Sequence, residues 1–381
     1  MRESQLLLIP GPTPVPPSVL RAHSRPMINH RGPEFASLQQ ELVDGLKGVF
    51  CTSGDVLILT CSGTGAMETA VVNVLSPGDL VLGMVIGAFG DRFAKIAEVY
   101  GARVERMEVE WGKAADPSRV AERLRRDKNK EIKAVVCTHN ESSTGVTNPL
   151  KEIAQAVREH GALLLVDAVS SLGAIELRTD DWGVDIVASA SQKALMNPPG
   201  LGLVSVSQRA WEASKKAKMP RFYFDIQQAK SFQEKGQTPW TPALPQMYGL
   251  QEALSQFKEV GLEAMWKRHA RVAEAARKGV AAMGLKLFAD PAYASNTVTA
   301  IHNPDGKDSA PLRKLLREKY GLVLAGGQAK LSDKIFRIGH MGFVGETEVL
   351  SALACLGMGL KELGFEADTQ AALAAAHETL R

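Results

Sequence analysis

The chain has little cysteine: four in 381 residues, Cys51, Cys61, Cys137 and Cys355, with no C-x-x-C pair. That spacing argues against a zinc site, so no metal is expected. Charge of one sign is also scarce. Lys and Arg number 45 against 42 Asp and Glu, a formal net charge of +3. So small an excess gives no reason to expect nucleic acid or an anionic membrane as a partner. No apolar run approaches the roughly 18 residues a membrane span needs. The first 17 residues carry one short apolar run, Leu6 to Ile9, then prolines, and no signal-peptide core. The chain ends Thr379-Leu380-Arg381 rather than in Ser-Lys-Leu. No repeat or low-complexity tract is present. The expectation is a soluble, cytoplasmic protein. With 45% hydrophobic and 23% charged residues it is globular rather than disordered.

What the chain has in excess is glycine, 34 residues. Some glycine turns hold phosphates. From 55 to 210, β-branched apolar runs alternate with amphipathic stretches. Strands are expected at 56–60, 80–86, 103–109, 132–138, 162–167, 186–189 and 202–207, with helices such as 64–75, 91–100, 117–126 and 150–160 between them. Continuous apolar strands alternating with helices predict a mostly parallel sheet covered on both faces. A helical pattern over 261–283 then introduces an α+β layout with fewer strands. The expected division is an N-terminal arm (1–20), a large domain (21–260) and a small C-terminal domain (261–381). Residues 235–242, rich in glycine and proline, predict a loop.

Ligands of open α/β sheets bind beyond the carboxyl ends of the strands. Ser62-Gly63-Thr64-Gly65 follows the first strand and opens a helix, where backbone amides attract a phosphate; a plain strand–helix turn is the alternative. It is not a dinucleotide fingerprint, because Glu68 stands where the third glycine belongs. Phe89, between Gly87 and Gly90, can stack on a planar ring or simply fill a core. The polar run 138–145 follows the fourth strand, and its His139 reads as structural more readily than as a proton shuttle. Asp167 ends an apolar strand and needs a partner there, such as a cationic ring nitrogen or a helix cap. Lys193 follows a strand among small residues, where poor hydration favours the neutral, nucleophilic amine. Phosphate cradle, stacking aromatic, strand-end carboxylate and recessed amine together suit pyridoxal 5′-phosphate.

Several segments carry a further likeness: Pro10-Gly11-Pro12-Thr13-Pro14, Ser62-Gly63-Thr64-Gly65-Ala66-Met67-Glu68, Thr138-His139-Asn140-Glu141-Ser142-Ser143-Thr144-Gly145, Val166-Asp167-Ala168-Val169-Ser170-Ser171, Gly183-Val184-Asp185, Ser191-Gln192-Lys193-Ala194 with Pro198-Pro199-Gly200, and Phe336-Arg337-Ile338-Gly339. Over nearly the whole chain the sequence resembles the class V, fold-type I PLP-dependent aminotransferases of the alanine–glyoxylate and serine–glyoxylate (serine–pyruvate) family. The resemblance implies a large domain with a mixed, mostly parallel seven-stranded sheet and a smaller α+β domain. It also implies that an amino group moves from alanine or serine to glyoxylate or pyruvate. Lys193 would be the Schiff-base lysine and proton carrier, Asp167 the partner of the ring nitrogen, and Val169 the residue beneath the ring. Phe89 would stack above it, where many relatives have Trp. Ser62, Gly63, Thr64 and Gln192 would hold the phosphate, and Ser142 would sit by the ring oxygen or substrate. Arg337 would grip the substrate carboxylate, with Gly11 close by. Thr241 would reach the partner's phosphate, implying a homodimer with shared active sites. Thr238 stands where mammalian-type relatives have Tyr, which leaves donor preference open. A cysteine desulfurase or other PLP lyase of the same fold is the alternative, although Gln192 precedes the lysine where desulfurases have His. A second alternative is a non-catalytic PLP-fold interaction subunit.

Overall fold

The computed structural model describes residues 5–381. Seven strands form the large sheet, in the order Asp55–Thr60, Leu201–Val206, Ile186–Ala190, Leu163–Asp167, Ile132–Thr138, Leu80–Val85, Arg103–Glu108. Leu201–Val206 runs antiparallel to both neighbours, while the other pairs are parallel. The sheet is therefore mixed and mostly parallel, as the resemblance implies. Six carboxyl ends consequently meet at one edge.

Side-chain alternation explains why these runs are apolar throughout. Within Ile132–Thr138, Ala134 and Val136 enter one core while Val135 and Cys137 enter the other. Leu163 and Leu165 oppose Leu164 and Val166 in the same way. A strand buried on both faces needs no polar alternate. One face is covered by helices including Pro33–Phe50, Leu150–His160 and Leu244–Val260, the other by Gly63–Val72 and Ala88–Val99.

A four-stranded sheet forms the smaller unit, in the order Leu6–Leu8, Leu322–Gly326, Ile335–Gly339, Val298–His302. It packs on the helices Leu262–Ala282, Glu346–Glu362 and Thr369–Leu380 around Val272, Leu316, Phe336 and Leu353. Leu6–Leu8, read from the sequence as part of an arm, pairs in parallel with Leu322–Leu324. Three residues are too few to show a period, so the run carried no strand signal. The helices Pro33–Phe50 and Leu244–Val260 are two of several that the sequence expectations above do not include. The first was legible: Pro33 sits at the first helical position, and Leu38, Leu42 and Leu46 recur every four residues.

Leu8 is fully buried in the small-unit core. Leu8→Ala is expected to cost about 2–5 kcal/mol, read as a lower urea midpoint at unchanged slope.

Candidate active site

A cavity of about 210 Å³ opens at the carboxyl edge of the large sheet. Nine residues singled out in the sequence line it: Ser62, Gly63, Thr64, Phe89, Ser142, Asp167, Val169, Gln192 and Lys193. They come from five strand ends, so only the folded sheet brings them together.

Ser62 is the N-cap of the helix Gly63–Val72 and makes no side-chain cap bond, which leaves the first amides of that helix facing the cavity. Gly63 is required by close approach: a Cβ there would stand 2.8 Å from Val169 Cγ2. The buried Gln192 Oε1 has no protein partner. Asp167 accepts a bond from the Val169 N–H at 2.9 Å and one from Thr138 Oγ1 at 3.4 Å. Burial pushes its pKa up to about 6, against the pull of the Val169 amide.

Lys193 Nζ donates to the Pro10 carbonyl at 2.5 Å. Burial lowers its pKa to about 8, with Asp167 opposing the shift and Arg337 and Arg92 adding to it. Its backbone is pinned, since Thr13 Oγ1 and the Met196 N–H both donate to the Lys193 carbonyl. Gly11 lies against the amine. It has φ +122°, and a Cβ there would stand 2.5 Å from Nζ.

Arg337 and Thr241 do not line this cavity. Arg337 is buried beside the wall residue Ser142: its Nη1 donates to the Ser142 carbonyl at 2.8 Å and its Nε to the Gly326 carbonyl at 2.9 Å. No carboxylate lies within ion-pair distance of it among the described residues, and burial lowers its pKa to about 10. Thr241 is exposed in the irregular 235–242 segment. His139 is buried edge-on to Trp182 at 6.3 Å, away from the cavity.

Four lining residues received no role from the sequence: Met67, Arg92, Asn140 and Ser170. Asn140 Nδ2 donates to Ser170 Oγ at 2.8 Å and to Thr297 Oγ1 at 2.9 Å, tying the cavity wall to the small unit. The Arg92 guanidinium sits 4.7 Å from the Phe89 ring centroid. The expected helix starts at Asp91 and leaves Phe89 outside it, so their three-residue spacing carries no signal until the helix is seen to begin at Ala88.

This donor set suits a planar, phosphorylated aldehyde with a basic ring nitrogen. The uncapped helix start and the Gln192 Nε2 donor suit the phosphate, the strand-end Asp167 suits a ring N–H, and the Lys193 amine suits the aldehyde.

The family model of the aminotransferase class-V family matches residues 7–341. The chain is 47% identical to an uncharacterized aminotransferase of Methanocaldococcus jannaschii, over 95% of this chain and 94% of that one. It is 46% identical to the soluble hydrogenase 42 kDa subunit of Anabaena cylindrica, over 96% of each. It is 41% identical to the serine–glyoxylate aminotransferase of Methylorubrum extorquens, over 98% of this chain and 96% of that one. Among solved structures, pyridoxamine–pyruvate aminotransferase from Mesorhizobium loti superposes with a TM-score of 0.94 at 33% identity, over 100% of this chain and 98% of that one.

The Lys193 amine gives a direct check. Its neutral fraction is expected to rise through about pH 8. Mass-spectrometric labelling with an amine-reactive reagent should reach half-maximum there, well below the range of solvated lysines. Gly11→Ala should suppress that labelling, because the new methyl group takes the space of Nζ.

Proposed function

The chain belongs to the aminotransferase class-V family, and from that premise we propose that it is a transaminase using pyridoxal 5′-phosphate. It moves an amino group from a small amino acid, alanine or serine, to a small 2-oxo acid, glyoxylate or pyruvate. One observation carries the reading: a buried amine at Lys193 and a buried carboxylate at Asp167 share a cavity with an uncapped helix start. Serine, glyoxylate and pyruvate appear in the names of relatives described above; alanine comes from the sequence resemblance.

When bound, the cofactor supplies an aldehyde carbon for amine exchange and a ring that accepts electron density. The protein contributes position and proton transfer. The amides of Gly63 and Thr64, with Ser62 and Gln192, hold the phosphate. Val169 and Phe89 flank the ring and exclude water. Asp167 faces a cationic ring nitrogen, which draws the carboxyl back toward its ionised form. Arg337 offers a buried guanidinium to the substrate carboxylate, a pairing that suits its planar fork. Held there, the substrate presents its Cα–H to Lys193 Nζ. The neutral amine removes that proton as general base and returns it as general acid.

Thr241 lies beside an aromatic cluster in which Trp240 stacks on Tyr223 at 5.7 Å and meets Phe222 at 4.9 Å. Phe222 is 74% exposed in the single chain. An exposed aromatic patch is the mark of an interface. It supports a homodimer in which Thr241 reaches the partner's phosphate. A cytoplasmic location accords with Cys51, Cys61 and Cys137 being free thiols. No helix of the described residues is long and apolar enough to cross a membrane.

A desulfurase needs a thiolate. Burial instead pushes Cys61 and Cys137 up to about 12, and raises Cys51 as well. Incubation with cysteine should therefore release no sulfide.

A panel of alanine, serine and aspartate against glyoxylate, pyruvate and 2-oxoglutarate should give turnover with small partners. Lys193→Ala should abolish turnover while retaining cofactor; near-normal turnover would refute the reading. Truncating one partner of a buried charge pair costs about 2–5 kcal/mol. Arg337→Ala should therefore lower kcat/KM mainly through KM, with cofactor affinity little changed.

A further inference from the structure

Glu141 has 0% relative exposure, yet it does not line the cavity. Its Oε2 accepts the N–H groups of Phe89 and Gly90, each at 3.0 Å. Its Oε1 accepts the Ser143 N–H at 3.1 Å and the Ser143 hydroxyl at 2.5 Å. Ser143 Oγ in turn accepts the Ala88 N–H at 3.0 Å, so the hydroxyl proton is directed at Glu141. All four partners of the carboxylate donate, and none of these contacts leaves an acceptor for a carboxyl proton. Burial outweighs the four bonds and raises the Glu141 pKa above the ordinary carboxylate value, while a set of four donors suits the ionised form.

Ala88, Phe89 and Gly90 are the first three residues of the helix Ala88–Val99, and its N-cap, Gly87, has no side chain to cap it. The missing cap comes instead from Glu141 and Ser143, across more than 50 residues of sequence. Gly87 makes room for it, since a Cβ there would stand 2.3 Å from Glu141 Cγ and 2.6 Å from Ser143 Oγ. The next residue, Ser142, presents its carbonyl to Arg337 Nη1. One short loop thus governs both the stacking aromatic and the buried guanidinium. Glu141 is also the anionic neighbour that offsets burial at Arg337.

We propose that Glu141 is a positioning residue for the transamination. Its ionised carboxylate fixes the Phe89 ring over the cavity and, through the adjoining Ser142 carbonyl, keeps Arg337 registered with it. The proposal rests on the functional reading above for its consequence, and on the free protein's geometry for its structure.

The test is Glu141→Gln, which keeps shape but sets an NH₂ group against N–H donors. Hydrogen bonds to charged groups are worth enough that pyridoxal phosphate affinity, followed by its visible absorption, should fall roughly tenfold or more. KM for the amino donor should rise along with it. The loss in cofactor affinity should shrink in a Phe89→Ala background, because the two changes remove one shared contact. Gly87→Ala, which displaces the carboxylate without altering charge, should act in the same direction. It carries the test if Glu141→Gln fails to fold. Without any cofactor, Glu141→Gln should speed hydrogen exchange at the Phe89 and Gly90 amides. Wild-type affinity and KM in a folded Glu141→Gln protein would overturn the proposal, as would a loss that simply adds to that of Phe89→Ala. If wild-type protein binds no pyridoxal phosphate, the functional reading fails, and the exchange measurement still decides the role of Glu141.

Discussion

Two groups that prefer charge are held where charge is poorly solvated, and the rest of the site follows from that constraint. Asp167 is pushed up to about 6 and Lys193 down to about 8, both chiefly by burial. A raised carboxyl pKa costs stability above the folded value, and a lowered amine pKa costs stability below it. Between about pH 6 and pH 8 both costs are present in the free protein. A ligand that brings a cationic ring nitrogen to Asp167 and consumes the Lys193 amine relieves both at once. The large sheet tolerates the burden because its strands are buried on both faces.

Close backbone approach is the second requirement. Gly11, Gly63 and Gly87 each leave space where a methyl group would meet a working side chain: the Lys193 amine, Val169 and Glu141. Their value lies in the missing Cβ more than in turn geometry. Gly11 alone of the three also has a φ that L-residues rarely adopt.

The small unit enters the site through few contacts. Arg337, on a strand of the small sheet, reaches the Ser142 carbonyl, and Thr297, just before another strand, takes the Asn140 amide. The run that leads to Gly11 starts as a strand of that same small sheet, at Leu6–Leu8. The amine at the edge of the large sheet is therefore bordered by backbone anchored in the small sheet. Relative movement of the two units would alter the surroundings of Lys193 directly.

Local chemistry was enough to read much of this protein from its residues. Continuous apolar strands, the small-residue turn at Ser62–Gly65, the strand-end Asp167 and the recessed Lys193 are each set by near neighbours in the chain, so the parallel sheet and the cofactor-suited cavity were legible. Four features were not: the pairing of Leu6–Leu8 with Leu322–Leu324, the contact of Arg337 with the Ser142 carbonyl, the approach of Arg92 to Phe89, and the capping of the Ala88–Val99 helix by Glu141. Three of these join residues separated by 50 or more positions, and no local periodicity encodes such a partner. The helix start shows the reason most clearly. The sequence suggests a start at Asp91; the folded chain begins the helix at Ala88, where a buried carboxylate from another loop supplies the acceptor that Gly87 lacks.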